Sequence, residues 1–211
     1  MPGHDSCNVA LQRLATARGL GAAQSAALAR YVGLLLGWRG GNVTGLRDPV
    51  AVVDTLIGDS LALLDVPQLR EREAAGWLDL GAGAGIPGIP LAVALPAVEL
   101  TLLDSASKKC VFLERAIAEC GLGARARVVC ARSERYSSAG APGRDAFGVV
   151  FARAVAELQV LVELAAPLLA EGGVLLASKT RRALAAEGPA AEEAAARCGL
   201  SAEKPEIGRA H

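Results

Sequence analysis

The stretch from residue 78 to residue 104, LDLGAGAGIPGIPLAVALPAVELTLLD, contains the residues best suited to chemistry. An apolar run ends in a turn with three alternating glycines, Gly81, Gly83 and Gly85, and a second apolar run ends in Asp104. Glycine turns of this kind let the backbone approach a nucleotide closely, and a carboxylate about 20 residues further along accepts hydrogen bonds from ribose hydroxyls. The stretch therefore predicts a site for a nucleoside-containing cofactor.

The register of the glycines distinguishes two kinds of cofactor. Counted from Gly83, the pattern is GxGxxG, the fingerprint of dinucleotide-binding folds. Counted from Gly81, it is GxGxG, with Ile86 where that fingerprint has its third glycine. The second register follows the predicted strand directly and has an acid, Asp79, two residues before its first glycine. It favours S-adenosylmethionine (AdoMet) over a nicotinamide dinucleotide.

Alternating strands and helices surround this turn from residue 76 onward. The segments IPGIPLAVAL, SKKCVFLERAIAECG and AELQVLVELAAPLLAEG have helical length and pattern and separate short apolar runs. Right-handed strand–helix–strand crossovers build a doubly wound, mostly parallel sheet, so we predict a Rossmann-like α/β fold. The predicted strands cover residues 76–81, 98–104, 126–131, 148–153 and 173–178.

The first part of the chain has a different pattern. CNVALQRLATARGL and AAQSAALARYVGLLLGWRG carry apolar residues at helical spacing, NVTGLRDP reads as a loop, and VAVVDTLIGDSLALLDV predicts one further helix. We expect residues 1–70 to form a helical N-terminal extension packed on the core, and residues 71–211 to form the cofactor-binding domain. RRALAAEGPAAEEAAAR, near the other end, predicts a surface helix.

Composition and charge exclude several other classes of protein. The formal net charge is zero at pH 7, so no global field attracts nucleic acid, although residues 105–153 are locally cationic. For Arg115, Arg125 and Arg127 we expect a solvated helix face. The five cysteines form no CxxC pair and the two histidines stand at the chain ends, so we expect no metal site. We also expect a cytoplasmic protein without membrane contact, because no apolar run has spanning length and no signal-peptide pattern opens the chain.

Several stretches together resemble the bacterial glucose-inhibited division protein B family (RsmG), the small-subunit ribosomal RNA guanine-N7 methyltransferases. They are LDLGAGAGIPGIPLAVALP, LTLLDSASKKCVFL, FARAVAEL, NVTGLRDP and GDSLALL, between about Trp38 and about Lys179. IPGIP after the glycines is much more specific than GxGxG alone. The resemblance implies a class I AdoMet-dependent methyltransferase fold with a helical N-terminal extension. It also implies AdoMet as cofactor and methyl transfer to N7 of a guanine in 16S rRNA of the small ribosomal subunit.

The resemblance divides the candidate site residues into a cofactor group, a residue at the junction of cofactor and substrate, and an RNA-facing group. The cofactor group is Gly81, Gly83, Gly85 and Ile86 around the methionine part, Asp104 at the ribose, and Ser133 and Glu134 at the adenine. Arg153, at the end of the fourth strand, belongs to the junction and also contacts the cofactor. The RNA-facing group is Lys108, Lys109, Arg132 and Lys179.

The chemistry implied for guanine N7 makes modest demands on the protein. N7 already carries an in-plane lone pair, so we expect no obligatory general base. Catalysis then comes mostly from aligning N7, the methyl carbon and sulfur, and from excluding water. Arg153 is expected to hold guanine O6, a phosphate or the cofactor carboxylate, since N7 itself must stay free.

The chain departs from the family pattern in three places. Thr55 and Leu56 stand where the family has an Arg-His pair, and residues 178–180 read Ser-Lys-Thr in place of Leu-Lys-Gly. The family closes its sheet with a strand that follows an arginine. Arg209 could be that arginine but is followed by only two residues, so we expect the last strand to be missing or the sheet to be closed differently. An open sheet edge would favour lower stability, a dimer or weakened activity.

Two alternatives from other classes remain open. The first is a divergent ribosome- or RNA-binding protein that binds AdoMet but has another target or no turnover. The second is an oxidoreductase that uses the GxGxxG register and binds a nicotinamide dinucleotide.

Overall fold

A five-stranded parallel sheet forms the centre of the computed structural model, which describes residues 2–153 and 155–203, with side chains from Ser6 onward. The strand order is β3-β2-β1-β4-β5, and every neighbouring pair is parallel. This architecture confirms the predicted Rossmann-like α/β fold. The strands are β1 Trp77–Leu80, β2 Leu100–Asp104, β3 Ala126–Cys130, β4 Phe147–Arg153 and β5 Leu169–Ser178.

Helices connect the strands and build the region before the sheet. The helix that follows β2 ends at Gly121, which has a φ of 69° in the left-handed region that glycine adopts at low cost. The helices are α1 Pro2–Ala17, α2 Ala22–Gly37, α3 Pro49–Ala51, α4 Gly58–Ala62, α5 Pro67–Arg70, α6 Gly88–Ala94, α7 Ser107–Cys120, α8 Ser133–Tyr136, α9 Leu158–Ala165 and α10 Arg181–Arg197.

Each predicted strand ends at, or within one residue of, the last residue of the observed strand. The start of β5 and one of the predicted helices differ from the prediction. β5 begins at Leu169, before the predicted residue 173, and its pairing with β4 is irregular between Phe147 and Val149. The helix predicted from VAVVDTLIGDSLALLDV is present, because helical backbone continues from residue 49 to residue 65, but it is not a regular α-helix throughout. A π-helical turn at Val52–Ile57 interrupts it between α3 and α4, and this wider turn buries both the first residues and the last residue of the segment.

Apolar side chains cover both faces of the sheet. On one face Trp77 and Phe151 meet edge to face, with ring centroids 5.3 Å apart, beneath the helices that precede and follow the glycine turn. On the other face Leu78 and Val150 pack beside Tyr136 of α8. Strands buried on both faces are typical of parallel sheets, which explains why these runs are apolar throughout.

The N-terminal helices pack on the helices of the core. α2 packs against α6 and α7, and the ring centroids of Trp38 and Phe112 lie 5.2 Å apart at the α7 contact. α1 packs against α2 and α3. The division into an extension of residues 1–70 and a domain of residues 71–211 stays a prediction. Arg209 lies outside the described residues, so the expectation about a closing strand also stays a prediction.

Arg125 differs from the expected solvated helix face. Its guanidinium donates hydrogen bonds to the carbonyl oxygens of Ala92, Leu95 and Val98, at distances of 2.5, 3.2 and 3.1 Å. These carbonyls lie at and just after the C-terminal end of α6, where helical partners are missing. Burial lowers the pKa of Arg125. The residue is therefore a helix cap, because the loop before β3 brings it against the end of α6.

Replacing Arg125 with methionine should leave these carbonyls without their donor. We expect the free energy of unfolding to fall by about 1–3 kcal/mol, the range for a buried polar group that loses its partner. Arg127→Met is the matched control, since Arg127 lies two residues further along, on β3, and is exposed. Denaturant unfolding of both variants measures the difference, and equal losses would refute the capping role.

Candidate functional site

A cleft lies at the carboxyl ends of the strands, beside the point where the strand order reverses between β1 and β4. Open α/β sheets bind their ligands at this position. The cleft has a volume of about 110 Å³, and its walls come from the ends of β1, β2 and β3, from the segment after β4 and from α9. The lining residues are Leu80, Gly81, Leu103, Asp104, Ser105, Ala131, Arg132, Ser133, Glu134, Val155 and Leu164.

The glycine turn borders this cleft and has positive φ angles at its glycines. At Gly81 the φ angle is 68°, and an added Cβ would lie 2.7 Å from a methyl group of Val155 across the cleft. At Gly85 the φ angle is 80°, and a Cβ would lie 2.5 Å from a methyl group of Ile89. Gly81 therefore keeps the cleft open, whereas Gly85 permits close packing of the turn on α6.

Asp104 ends β2 and faces the glycine turn. One carboxylate oxygen accepts a hydrogen bond from the Gly83 amide and the other from the Ala106 amide, both at 2.9 Å. The ammonium of Lys109 lies 3.9 Å from the first oxygen. A carboxylate with one bond at each oxygen can accept further hydrogen bonds. Lys109, expected to face RNA, lies instead beside the carboxylate that the sequence assigned to ribose.

Asp79 has a structural partner in the chain. Its carboxylate is buried and accepts a hydrogen bond of 2.9 Å from the Gly88 amide at the start of α6. A Cβ on Gly88 would lie 2.8 Å from the same oxygen. Burial raises the pKa of Asp79 to about 7, opposed by this hydrogen bond. Gly88, the third glycine of the dinucleotide register, thus has an internal role.

Arg153 reaches the carboxyl edge from β4 and meets a residue from the N-terminal part of the chain. Its Nη2 lies 3.5 Å from a carboxylate oxygen of Asp59 on α4. The two side chains are 27% and 52% exposed, so the pair is accessible to a ligand. Asp59 was not among the site residues predicted from the sequence. Its position in GDSLALL, one of the stretches shared with the family, was the available signal.

Lys179 requires a correction, because its ammonium is engaged within the protein and does not face RNA. It donates hydrogen bonds to the Ala156 carbonyl at 2.6 Å and to Glu187 at 2.7 Å, and the side chain is only 13% exposed. The same Glu187 oxygen accepts from the Leu158 amide at 2.7 Å. The hydrogen bond from Lys179 lowers the pKa of Glu187. Together these contacts join α10 to the segment after β4.

The remaining predicted residues divide between the cleft and other surroundings. Ser133 and Glu134 line the cleft, although the Ser133 hydroxyl already donates to a carbonyl of α9 at 3.2 Å. Ile86 packs into the core and is not part of the cleft wall, since the turn directs its side chain inward. Lys108 is exposed, and Arg132 is exposed at the edge of the cleft.

The cleft has the chemistry that an AdoMet site needs. A carboxylate at the end of β2 is suited to a ribose, and a glycine turn without room for a Cβ lets a ligand approach the backbone. Leu103, Ala131 and Leu164 supply apolar wall beside the polar groups. In the part of the chain that the structure describes, no group of side chains has the make-up of a metal site, and no helix could span a membrane.

Solved structures with a similar architecture identify the fold. An O-methyltransferase family protein from Burkholderia thailandensis superposes with a TM-score of 0.56 at 19% identity, over 77% of this chain and 57% of that chain. A SAM dependent methyltransferase from Agrobacterium tumefaciens gives a TM-score of 0.51 at 18% identity, over 73% and 54%. The fold is that of the class I AdoMet-dependent methyltransferases.

Sequence comparisons then define the family. The model described as rRNA small subunit methyltransferase G matches residues 24–205. The protein of that name from Stenotrophomonas maltophilia (strain K279a) is 41% identical over 162 residues, 76% of this chain and 71% of the relative. The one from Desulfitobacterium hafniense (strain Y51) is 42% identical over 142 residues, 67% and 56%. The chain belongs to the rRNA small subunit methyltransferase G family, which confirms the resemblance seen in its motifs.

The raised pKa of Asp79 gives a testable pH dependence. Between about pH 4 and pH 7 the folded protein keeps a proton that the unfolded chain loses, so the stability linked to Asp79 falls as the pH rises through this range. Asp79→Asn stays neutral throughout. We therefore expect its free energy of unfolding, relative to the original chain, to increase from pH 4 to pH 7.

Denaturant unfolding at several pH values measures this difference. Asp145→Asn is the control, since Asp145 is an exposed carboxylate. A constant difference between Asp79→Asn and the original chain across the range would show that Asp79 is ionised in both states.

Proposed function

We propose that this protein transfers a methyl group from AdoMet to N7 of a guanine in 16S rRNA of the small ribosomal subunit. The observation that carries the proposal is the cleft beside Asp104 and the glycine turn, at the ligand-binding edge of the sheet, in a chain of this family. The proposed substrate would place the reaction in the bacterial cytoplasm.

The residues of the cleft suggest how the cofactor is held. Bound AdoMet supplies a methyl group activated by its sulfonium. Asp104 would accept hydrogen bonds from the ribose hydroxyls, because its position against the Gly83 amide is already set. Leu103 and Ala131 would contact the adenine, with Glu134 at the exposed side of the cleft. The backbone at Gly81 would lie closest to the methionine part.

The reaction requires alignment more than proton transfer. The lone pair of N7 is available at neutral pH, so the protein needs to hold the base in line with the methyl group and to keep water out. Arg153 would hold guanine O6, a phosphate or the cofactor carboxylate from the end of β4. The nearby carboxylate of Asp59 limits the orientations that this guanidinium can adopt.

The first experiment measures labelled methyl transfer from AdoMet to small ribosomal subunits from a strain that lacks this gene, with mapping of the modified base. Label as N7-methylguanine in 16S rRNA is the expected result. AdoMet binding without transfer would instead support the divergent RNA-binding alternative. Binding of a nicotinamide dinucleotide without AdoMet would support the oxidoreductase.

Arg153→Ala should reduce kcat/KM for methyl transfer by about 100-fold, the size of effect expected when reacting groups lose their alignment. Arg144→Ala is the matched control, because Arg144 precedes β4 at the opposite edge of the sheet and pairs with Asp145. Full turnover by Arg153→Ala would exclude the positioning role.

A set of exposed basic side chains follows strands at the carboxyl edge of the sheet, the edge that also holds the cleft. We name this set the rim cations: Lys108, Arg132, Arg135, Arg181 and Arg182. They follow β2, β3 and β5, whose parallel directions bring all three ends to one edge. Among the residues that the structure describes, none of the five forms an ion pair, and this availability suits them to contact phosphates.

Several other arginines of the chain, in contrast, have partners within the protein. Arg18 pairs with Asp65 at 2.8 Å, and Arg197 pairs with Glu163 at 3.3 Å. Lys109, Arg153 and Lys179 at the same edge also pair with carboxylates, whereas the charge of the rim cations is not balanced by an ion pair within the described residues, which supports these five as an RNA interface. From the sequence, Lys108 and Arg132 were predicted to face RNA. The rim cations add residues that follow β3 and β5.

The salt dependence of RNA binding tests the rim. The double variant Lys108→Ala/Arg181→Ala should bind 16S rRNA with a less steep salt dependence. The slope of log K against log salt concentration should decrease in magnitude by about 1–2, because each phosphate contact contributes roughly 0.7–0.9. Arg115→Ala/Arg197→Ala removes the same charge from paired arginines and should leave the slope unchanged. Equal slopes for the two double variants would argue against the rim.

A further inference from the structure

Helix α2 contacts the glycine turn with a buried polar group. Tyr31 is fully buried, and its hydroxyl donates a hydrogen bond of 2.5 Å to the carbonyl oxygen of Ala84. Ala84 lies between Gly83 and Gly85, in the middle of the turn that borders the cleft. We propose that Tyr31 is a positioning residue for AdoMet binding, acting through the Ala84 carbonyl. The inference rests on the proposed function for the identity of the ligand.

The peptide unit between Ala84 and Gly85 is held at both ends. Tyr31 donates to its carbonyl oxygen, and its N–H donates to the Ala82 carbonyl at 2.6 Å. Because a peptide unit is planar, fixing both groups determines the orientation of the whole unit. The φ angle of 80° at Gly85 belongs to a region that glycine leaves easily. The tyrosine hydroxyl therefore restricts the orientation of the peptide unit at the centre of the turn.

Helix α2 is anchored on either side of Tyr31. Near its start, Gln24 donates hydrogen bonds to the carbonyls of Val93 and Ala94 at 3.1 and 2.8 Å. Just after its end, Trp38 packs on α7. The helix that presents Tyr31 is thus located by contacts with α6 and α7, the helices that follow the glycine turn and β2. Its position does not depend on the glycine turn alone.

The hydroxyl of Tyr31 serves as a donor over the whole working pH range, since burial raises its pKa well above the ordinary value. Without this hydroxyl the Ala84 carbonyl would have to stay unpaired or turn toward water. The turn would then populate other conformations, and AdoMet binding would have to select the competent one. The apparent affinity for AdoMet then falls in proportion to the fraction of molecules whose turn is in the competent conformation.

Tyr31→Phe removes the hydroxyl and keeps the ring. We expect the Kd for AdoMet to rise about tenfold, with kcat at saturating AdoMet within about twofold, as for loss of uniform binding. The matched control is Tyr136→Phe. Tyr136 is the chain's other tyrosine, and it packs on Phe147 on the opposite face of the sheet. Titration calorimetry with AdoMet gives Kd at a temperature where circular dichroism shows both variants folded.

Hydrogen exchange provides a second readout that needs no ligand. The peptide that covers residues 80–90 should exchange faster in Tyr31→Phe than in Tyr136→Phe or the original chain. Unchanged Kd and exchange in Tyr31→Phe, even with a lower Tm, would overturn the proposal, and so would equal losses of affinity in both variants. If the original chain does not bind AdoMet, the proposed function fails, and the exchange comparison alone then decides whether Tyr31 holds the turn.

Discussion

One buried hydrogen bond, from the Gly88 amide to the Asp79 carboxylate, determines how the chain leaves β1 and enters α6. The turn between these residues must be compact, because Gly88 has no space for a Cβ beside that carboxylate. The compact turn brings the Gly83 amide to Asp104 at the end of β2. The cleft and the carboxyl edge around it are therefore arranged about a buried carboxylate that does not line the cleft.

Asp79 and Asp104 both stand near the end of an apolar strand in the sequence, but they have different physical roles. Asp79 lies inside the sheet layer, where burial disfavours its charge and raises its pKa to about 7. Asp104 ends its strand, accepts two backbone hydrogen bonds and has the ammonium of Lys109 nearby. Only the second has free acceptor capacity beside the cleft. The first supports the turn, and the second is suited to a ligand.

Residues far apart along the chain join this site because the strands are parallel. All carboxyl ends meet at one edge, so side chains at and after the ends of β1, β2 and β3 line the same cleft. The region before the sheet adds Tyr31 at the glycine turn and Asp59 at Arg153. It therefore belongs to the functional architecture, and it does more than cover apolar surface.

The sequence by itself determined the fold class, the strand ends, the glycine turn and Asp104, because these depend on local pattern and on the register of neighbouring residues. It also indicated the family through motifs such as IPGIP. Tertiary structure alone decided which polar groups meet: Lys179 with Glu187, and Arg125 with the end of α6. A basic side chain looks the same in sequence whether it faces RNA or a buried carbonyl. Its partner is chosen by packing between distant segments, which short-range periodicity does not encode.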